Sequence, residues 1–140
     1  MVTREYAGRH QKRNVKDSML MYHVFFYKDL QGNCPADDCL NNLPVKLRAK
    51  AAKWIEKLEQ EGPDLPRPFA DTLRGKIREL RVRFGRLSFR FLYFFFGKKI
   101  IITHRFMKKI RRVPAAEIDR AERMMKEFLK RNKREGSASQ

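Results

Sequence analysis

GKIRELRVRFGRLSFRFLYFFFGKKIIITHRFMKKIRR, residues 75–112, alternates like β-strands while carrying thirteen Lys and Arg against a single acid, Glu79. Successive side chains of a strand point to opposite faces of a sheet. Ile77 to Phe84 therefore sets Glu79, Arg81 and Arg83 on one face against Leu80, Val82 and Phe84 on the other. Gly85 marks a turn. Arg86 to Phe96 starts with Arg86, Ser88 and Arg90 opposite Leu87, Phe89, Phe91 and Tyr93. It becomes apolar on both sides from Leu92 to Phe96, as a strand covered twice must. Gly97-Lys98 has the composition of a hairpin turn. Lys99 to Phe106 follows as a third strand, with Ile100, Ile102, His104 and Phe106 on one face and Ile101, Thr103 and Arg105 on the other. The expected product is a three-stranded antiparallel meander with a basic surface.

One hundred and forty residues, 42% of them hydrophobic and eleven of them Phe, suffice for one domain with its own core. A net charge of +17 points to polyanionic partners, nucleic acid before an anionic membrane surface. No stretch approaches the roughly 20 apolar residues that span a bilayer. Met19 to Tyr27 is too short and too polar for a signal peptide. A cytoplasmic location is expected. Cys34 and Cys39 are not expected to pair in a reducing compartment. Neither C-x-x-C nor H-x-x-x-H spacing supports a zinc site with His10 and His23, so no metal or other cofactor is expected.

Before the meander, residues 1–18 carry Arg4, Arg9, Lys12, Arg13 and Lys16 without hydrophobic periodicity and read as a flexible, solvated basic arm. Met19 and Met21 stand directly before the first strand and offer later translation starts; a nucleic-acid-binding tail is the other reading of the arm. Residues 19–132 form the expected domain. Met21 to Tyr27 is a plausible strand, and Gly32-Asn33 a turn. Ala36 to Asn42 suits a short helix with Asp37 and Asp38 at its positive end. Pro44 to Glu61 is an amphipathic helix whose stripe is Leu47, Ala51, Trp54, Ile55 and Leu58, closed by Gly62-Pro63. Within that stripe Trp54 reads as a core residue rather than a base-stacking platform. Gly62 to Asp71, with three prolines, reads as an extended connector. After the meander, Pro114 opens a last helix to about Arg131 with Ile118, Ala121, Met125, Phe128 and Leu129 inward. Residues 133–140 read as a disordered tail. The class is α+β: strand, two helices, three-stranded meander, C-terminal helix, around a small antiparallel sheet.

G-K-I-R-E-L-R-V at Gly75–Val82, R-F-L-Y at Arg90–Tyr93, H-R-F-M-K-K at His104–Lys109, Pro114 and E-I-x-x-A at Glu117–Ala121 occur in an order and spacing that resemble the phage-derived Gp49-like, HigB-type branch of the RelE/ParE toxin superfamily. Gly62-Pro63-x-Leu65 and F-Y-x-D-L at Phe26–Leu30 agree with it, so the resemblance covers residues 20–130. It implies a RelE-like fold and the toxin of a type II toxin–antitoxin system. It also implies a metal-independent endoribonuclease that cuts mRNA, usually on the ribosome. The implied partners are mRNA, the ribosome and a cognate antitoxin, commonly a helix-turn-helix HigA-type protein.

Metal-free RNA cleavage needs a base for the 2′-OH, cations for the charge that develops on phosphorus, and a proton donor for the leaving oxygen. Arg81 and Arg90 match the superfamily's strand arginines, and a guanidinium grips phosphate through two oxygens. Arg81→Ala is accordingly expected to spare folding and cost activity. Lys108 and Lys109 match the family's K-K pair, as phosphate ligands or, crowded by cations, as a base. Glu79 is the other candidate base and also reads as a salt-bridge partner of its neighbouring arginines. His104 is the candidate acid, with a partly buried structural histidine as its other reading. Arg78, Arg83, Arg86, Arg105, Arg111 and Arg112 are expected to contact or steer RNA. Arg78 and Arg105 stand where the family commonly has an aromatic and a small residue, and add charge there. Two other functions fit the same residues: a ParE-like DNA gyrase inhibitor, and a noncatalytic RNA-binding module.

Overall fold

The computed structural model describes residues 3–5, 22–107 and 112–139. Three two-residue loops, Gly75-Lys76, Gly85-Arg86 and Gly97-Lys98, fold residues 70–107 into a run of antiparallel strands: β3 (Ala70–Arg74), β4 (Ile77–Phe84), β5 (Leu87–Phe96) and β6 (Lys99–Met107). Gly85 and Gly97 sit at φ +61° and +60°. A two-residue hairpin loop demands such values if it is to match the twist of its strands, and glycine meets them without strain. The meander thus has four strands rather than three. β3 falls in the last part of the proline-rich connector, where Arg81 N–H also bonds Phe69 C=O at 2.8 Å.

The remaining strands are β1 (Thr3–Glu5), which lies inside the segment read as an arm, and β2 (His23–Tyr27). Among the described residues six strands form one sheet in the order β1-β2-β6-β5-β4-β3. It is mixed, not wholly antiparallel: β2 runs parallel to β6, His23 opposite Lys99 and Phe26 opposite Ile102. The reason is the route of the chain. After β2 it passes through α1 (Pro35–Asn41), α2 (Val45–Glu61) and a 3₁₀ turn (Gly62–Asp64), and enters the sheet at the far edge. Three reversals then bring β6 beside β2 in the same direction. α3 (Ala115–Ser139) follows.

Two cores flank the sheet. Leu47, Ala51, Ile55 and Leu58 of α2 pack on Val24, Phe26, Leu80, Val82, Phe91, Tyr93, Ile100 and Ile102. On the other face Ala121 and Phe128 of α3 pack on Tyr27, Ile77, Leu92, Phe94 and Ile101. This double cover is what the apolar run Leu92–Phe94 requires, and each large side chain so buried contributes about 1.5–3 kcal/mol. Phe128 meets Phe94 and Phe96 edge-on, with centroids 5.5 and 5.1 Å away. Arg74 bonds Asp119 and Glu122 of α3, and Tyr27 O–H donates to Glu127 at 2.6 Å. α3 continues to Ser139, through the segment read as a disordered tail. A single Gly136 costs a helix only about 1 kcal/mol relative to alanine, too little to end it there.

Two local features fix positions near the site. Gly62, at φ +55°, lies under Tyr22: a Cβ there would fall 2.3 Å from the ring. In β6 the pairing slips by one residue, since Leu92 faces His104 while Tyr93 faces Ile102, leaving Thr103 as a bulge. From that point the alternation inverts. His104 turns to the α3 side, away from Ile100 and Ile102 with which simple alternation groups it, and Arg105 turns to the α2 side.

Candidate functional site

The polar half of β4 and β5 shares the α3 side of the sheet but lies beyond the apolar rows that α3 covers. Glu79 stands opposite Leu92, Arg81 opposite Arg90, and Arg83 opposite Ser88. Glu79 is 2% exposed. Its two oxygens are divided between arginines: one lies 2.7 Å from Arg90 Nε and the other accepts from Arg81 Nη2 at 3.1 Å and Nε at 3.3 Å. Arg81 continues to Asp71 at 3.4 Å and to the carbonyl of Pro68 at 3.3 Å. Arg90 donates to Ser88 Oγ at 2.5 Å. A buried carboxylate thus holds two guanidinium groups in fixed orientations, one of them, Arg81, still partly open to solvent.

The electrostatics follow from this packing. Burial lowers the proton affinity of the Arg90 guanidinium, which Glu79 offsets, while the charges of Arg81 and Arg83 add to the lowering. Burial acts to raise the Asp71 carboxyl, but hydrogen bonds from Arg67 and the Thr72 amide, with the charges of Arg67 and Arg81, hold it below the ordinary carboxylate value. Tyr93, on the α2 side, is pushed by burial up to about 12 with Arg78 opposing, so it exchanges no proton near neutrality.

A hollow of about 350 Å³ opens here, where the connector runs from α2 into β3. Arg81, Arg83, Ser88 and Arg90 line it, and α2 and the connector complete it with Lys50, Trp54 and Phe69. The sequence motifs contain Arg81 and Arg90, Arg83 and Ser88 stand between those motifs, and Lys50 and Phe69 carry no motif. Their only signals are a lysine one turn before Trp54 and an aromatic residue at the end of a proline-rich stretch.

The other residues singled out from sequence lie apart. Arg78 and Arg105 are on the α2 side, over the rings of Phe95 at 5.5 Å and Phe89 at 4.9 Å. Arg86 is exposed in the β4–β5 loop, and Arg112 is exposed before α3. Lys108, Lys109 and Arg111 lie outside the described residues.

His104 is 1% exposed and is not among the residues lining the hollow. Its Nε2 is 3.0 Å from Glu117 and its Nδ1 is 3.1 Å from Thr103 Oγ1, whose single proton is shared between that nitrogen and the Leu92 carbonyl 3.2 Å away. With Nε2 carrying its proton toward Glu117, the ring joins β6 to the first turn of α3. Burial depresses its pKa, the Arg120 charge adds to this, and Glu117 opposes it. Because the folded value lies below the unfolded 6.5, the folded state binds fewer protons in between, and stability is lost as pH falls below about 6.5. The urea midpoint is expected to drop on acidification through that range, and His104→Gln to flatten the drop. An equal slope in that variant would assign it to other groups.

No helix among the described residues is long and apolar enough to cross a membrane. A family model described as phage derived protein Gp49-like (DUF891) matches residues 38–126, from within α1 to within α3, and so spans the whole hollow. No curated protein matches the chain.

Proposed function

We propose, because this chain belongs to the phage-derived Gp49-like family, a group associated with the toxins of toxin–antitoxin systems, that it is the toxin of a type II pair and cleaves mRNA as a metal-independent endoribonuclease acting on the ribosome. The observation that supports this reading best is the pair of arginines oriented by one buried carboxylate beside an open, cation-lined hollow. Preorganised guanidinium groups stabilise a pentacovalent phosphorus without reorganising as its charge grows. Arg81 and Arg83 bind the scissile phosphate and its neighbour. Arg90, almost wholly buried, supports the developing charge from beneath. Lys108 and Lys109, which match the family's K-K pair, hold phosphate, and one of them, crowded by cations, is the base. The cognate antitoxin, a HigA-type helix-turn-helix protein, neutralises this basic face.

Transcript ends mapped soon after induction in bacteria test the reading. Cleavage inside translated messages is expected; intact transcripts would overturn it, in favour of gyrase inhibition if DNA breaks accompany them and of a noncatalytic RNA-binding module if they do not.

Glu79 is a positioning residue in this scheme, since both its oxygens already serve arginines. Glu79→Gln keeps the shape and one acceptor, and is expected to slow cleavage while leaving the shape of the pH–rate profile unchanged. A general base would behave otherwise: its removal abolishes the acid limb of that profile.

A noncatalytic RNA-binding module is the second reading, and the same full occupation of Glu79 favours it. It predicts RNA retained intact with a steep salt dependence.

A further inference from the structure

Trp54 and Phe69 have no part in the cleavage scheme, yet both face the same hollow as its arginines. Their rings stack with centroids 4.6 Å apart and planes 24° from parallel. Trp54 sits at the margin of the α2 core, and Phe69 is 37% exposed. One face of Phe69 is therefore backed by a second aromatic ring while part of its surface remains open. Beside it stand Lys50, Arg81 and Arg83, and none of the hollow's described lining residues is acidic.

We propose that this hollow receives one unpaired nucleobase of an RNA strand, stacked on Phe69 with Trp54 behind it, while the adjoining phosphates lie on Arg81, Arg83 and Lys50. A flat π surface beside several cations matches the two halves of a nucleotide. Bases stack on aromatic rings whatever their identity, and guanidinium groups take the phosphates. An acidic peptide would satisfy the charges and leave the ring face without a partner. A duplex keeps its bases inside the helix, out of reach of the ring. A volume of about 350 Å³ falls at the small end of ligand sites, which run from about 300 to 1,000 Å³, and suits one nucleotide rather than several. The site therefore selects single-stranded RNA over duplex with little base preference. This rests on the sheet face being the RNA site and adds to it the element that senses strand state.

The test uses the full chain and a six-nucleotide 2′-O-methyl RNA, which lacks the nucleophile for cleavage, against an abasic oligomer with the same backbone. Trp54 is the only tryptophan, so its fluorescence reports the hollow directly, and anisotropy of a labelled oligomer gives the affinity. The base-bearing oligomer is expected to change Trp54 emission and to bind about tenfold more tightly than the abasic one, the effect of one stacked base. Phe69→Ala and Phe69→Leu should erase that advantage, and Phe69→Tyr should keep it. Equal binding of the two oligomers by the unaltered protein overturns the proposal whatever the variants do, and leaves a site for polyanions or acidic protein segments. Cleavage of ordinary mRNA on programmed ribosomes is scored separately. Base-dependent binding without cleavage removes the nuclease reading alone; cleavage with base-independent binding removes the stacking alone.

Discussion

Arg81→Ala lowers the rate of RNA cleavage by about 10²- to 10³-fold, the loss that follows removal of one well-placed donor to a developing charge, and leaves the protein folded. The side chain is 28% exposed, so its link to Asp71 is partly screened by water, and with Glu79 buried the loss of both links costs about 1–2 kcal/mol. Glu79 keeps its contact with Arg90. Single-turnover cleavage on programmed ribosomes, with a thermal melt of the same sample, separates the two effects. Arg81→Lys restores the charge but not the two-pronged grip, and falls between. An undiminished rate in Arg81→Ala would remove this residue from the chemistry.

Arg90→Ala has the opposite balance, with a fold weakened by about 3 kcal/mol, the lower end of the range for breaking a buried ion pair. The Arg90 and Glu79 side chains are 9% and 3% exposed, so the carboxylate left behind has little water to turn to, and Arg81 compensates it only in part. Urea unfolding measures the loss. Replacing both partners, Glu79→Leu with Arg90→Met, should recover much of it, because an apolar pair of similar volume does without the desolvation that the ions incur. If Arg90→Ala unfolds at the same urea concentration as the unaltered protein, the buried pair carries no stability. Activity lost in an Arg81/Arg90 double variant therefore mixes chemistry with unfolding, and the two arginines are best removed separately.

The difference between these arginines was not legible in the sequence. Alternation sets Glu79, Arg81, Arg83, Ser88 and Arg90 on one face, and the register agrees. It cannot tell that β5 lies between β4 and β6, with Arg90 inside the sheet, while β3 pairs with β4 only as far as Leu80 and leaves Arg81 beside the edge. Gly85-Arg86 and Gly97-Lys98 announce their hairpins, and Gly75-Lys76 has the same form. The preceding prolines hid β3, because they suggest an extended coil until the partner strand is known. Trp54 lies at helical spacing with Leu47, Ala51 and Leu58, so its stripe implies burial. Its contact with Phe69, fifteen positions later, depends on the path of the connector and leaves no periodic trace. His104 was grouped with the wrong side, since period-two counting assumes an unbroken ladder.

Thr103, the residue without a partner, acts on β6 as a phase slip acts on a wave. It shifts the numbering of the faces by one while the alternation dictated by β5 runs on unbroken. A relative lacking that one residue would pair its counterparts of Ile102 and His104 with consecutive residues of β5 in unbroken alternation, and would point its counterparts of His104 and Arg105 to the same sides as here. Aligned columns after position 103 thus carry the same side-chain direction whether or not the insertion is shared, and only a count by twos through the bulge misplaces them. Deleting Thr103 from this chain would leave the imidazole on the α3 side and the guanidinium on the α2 side, and would remove only the hydroxyl that lies between the imidazole and the Leu92 carbonyl.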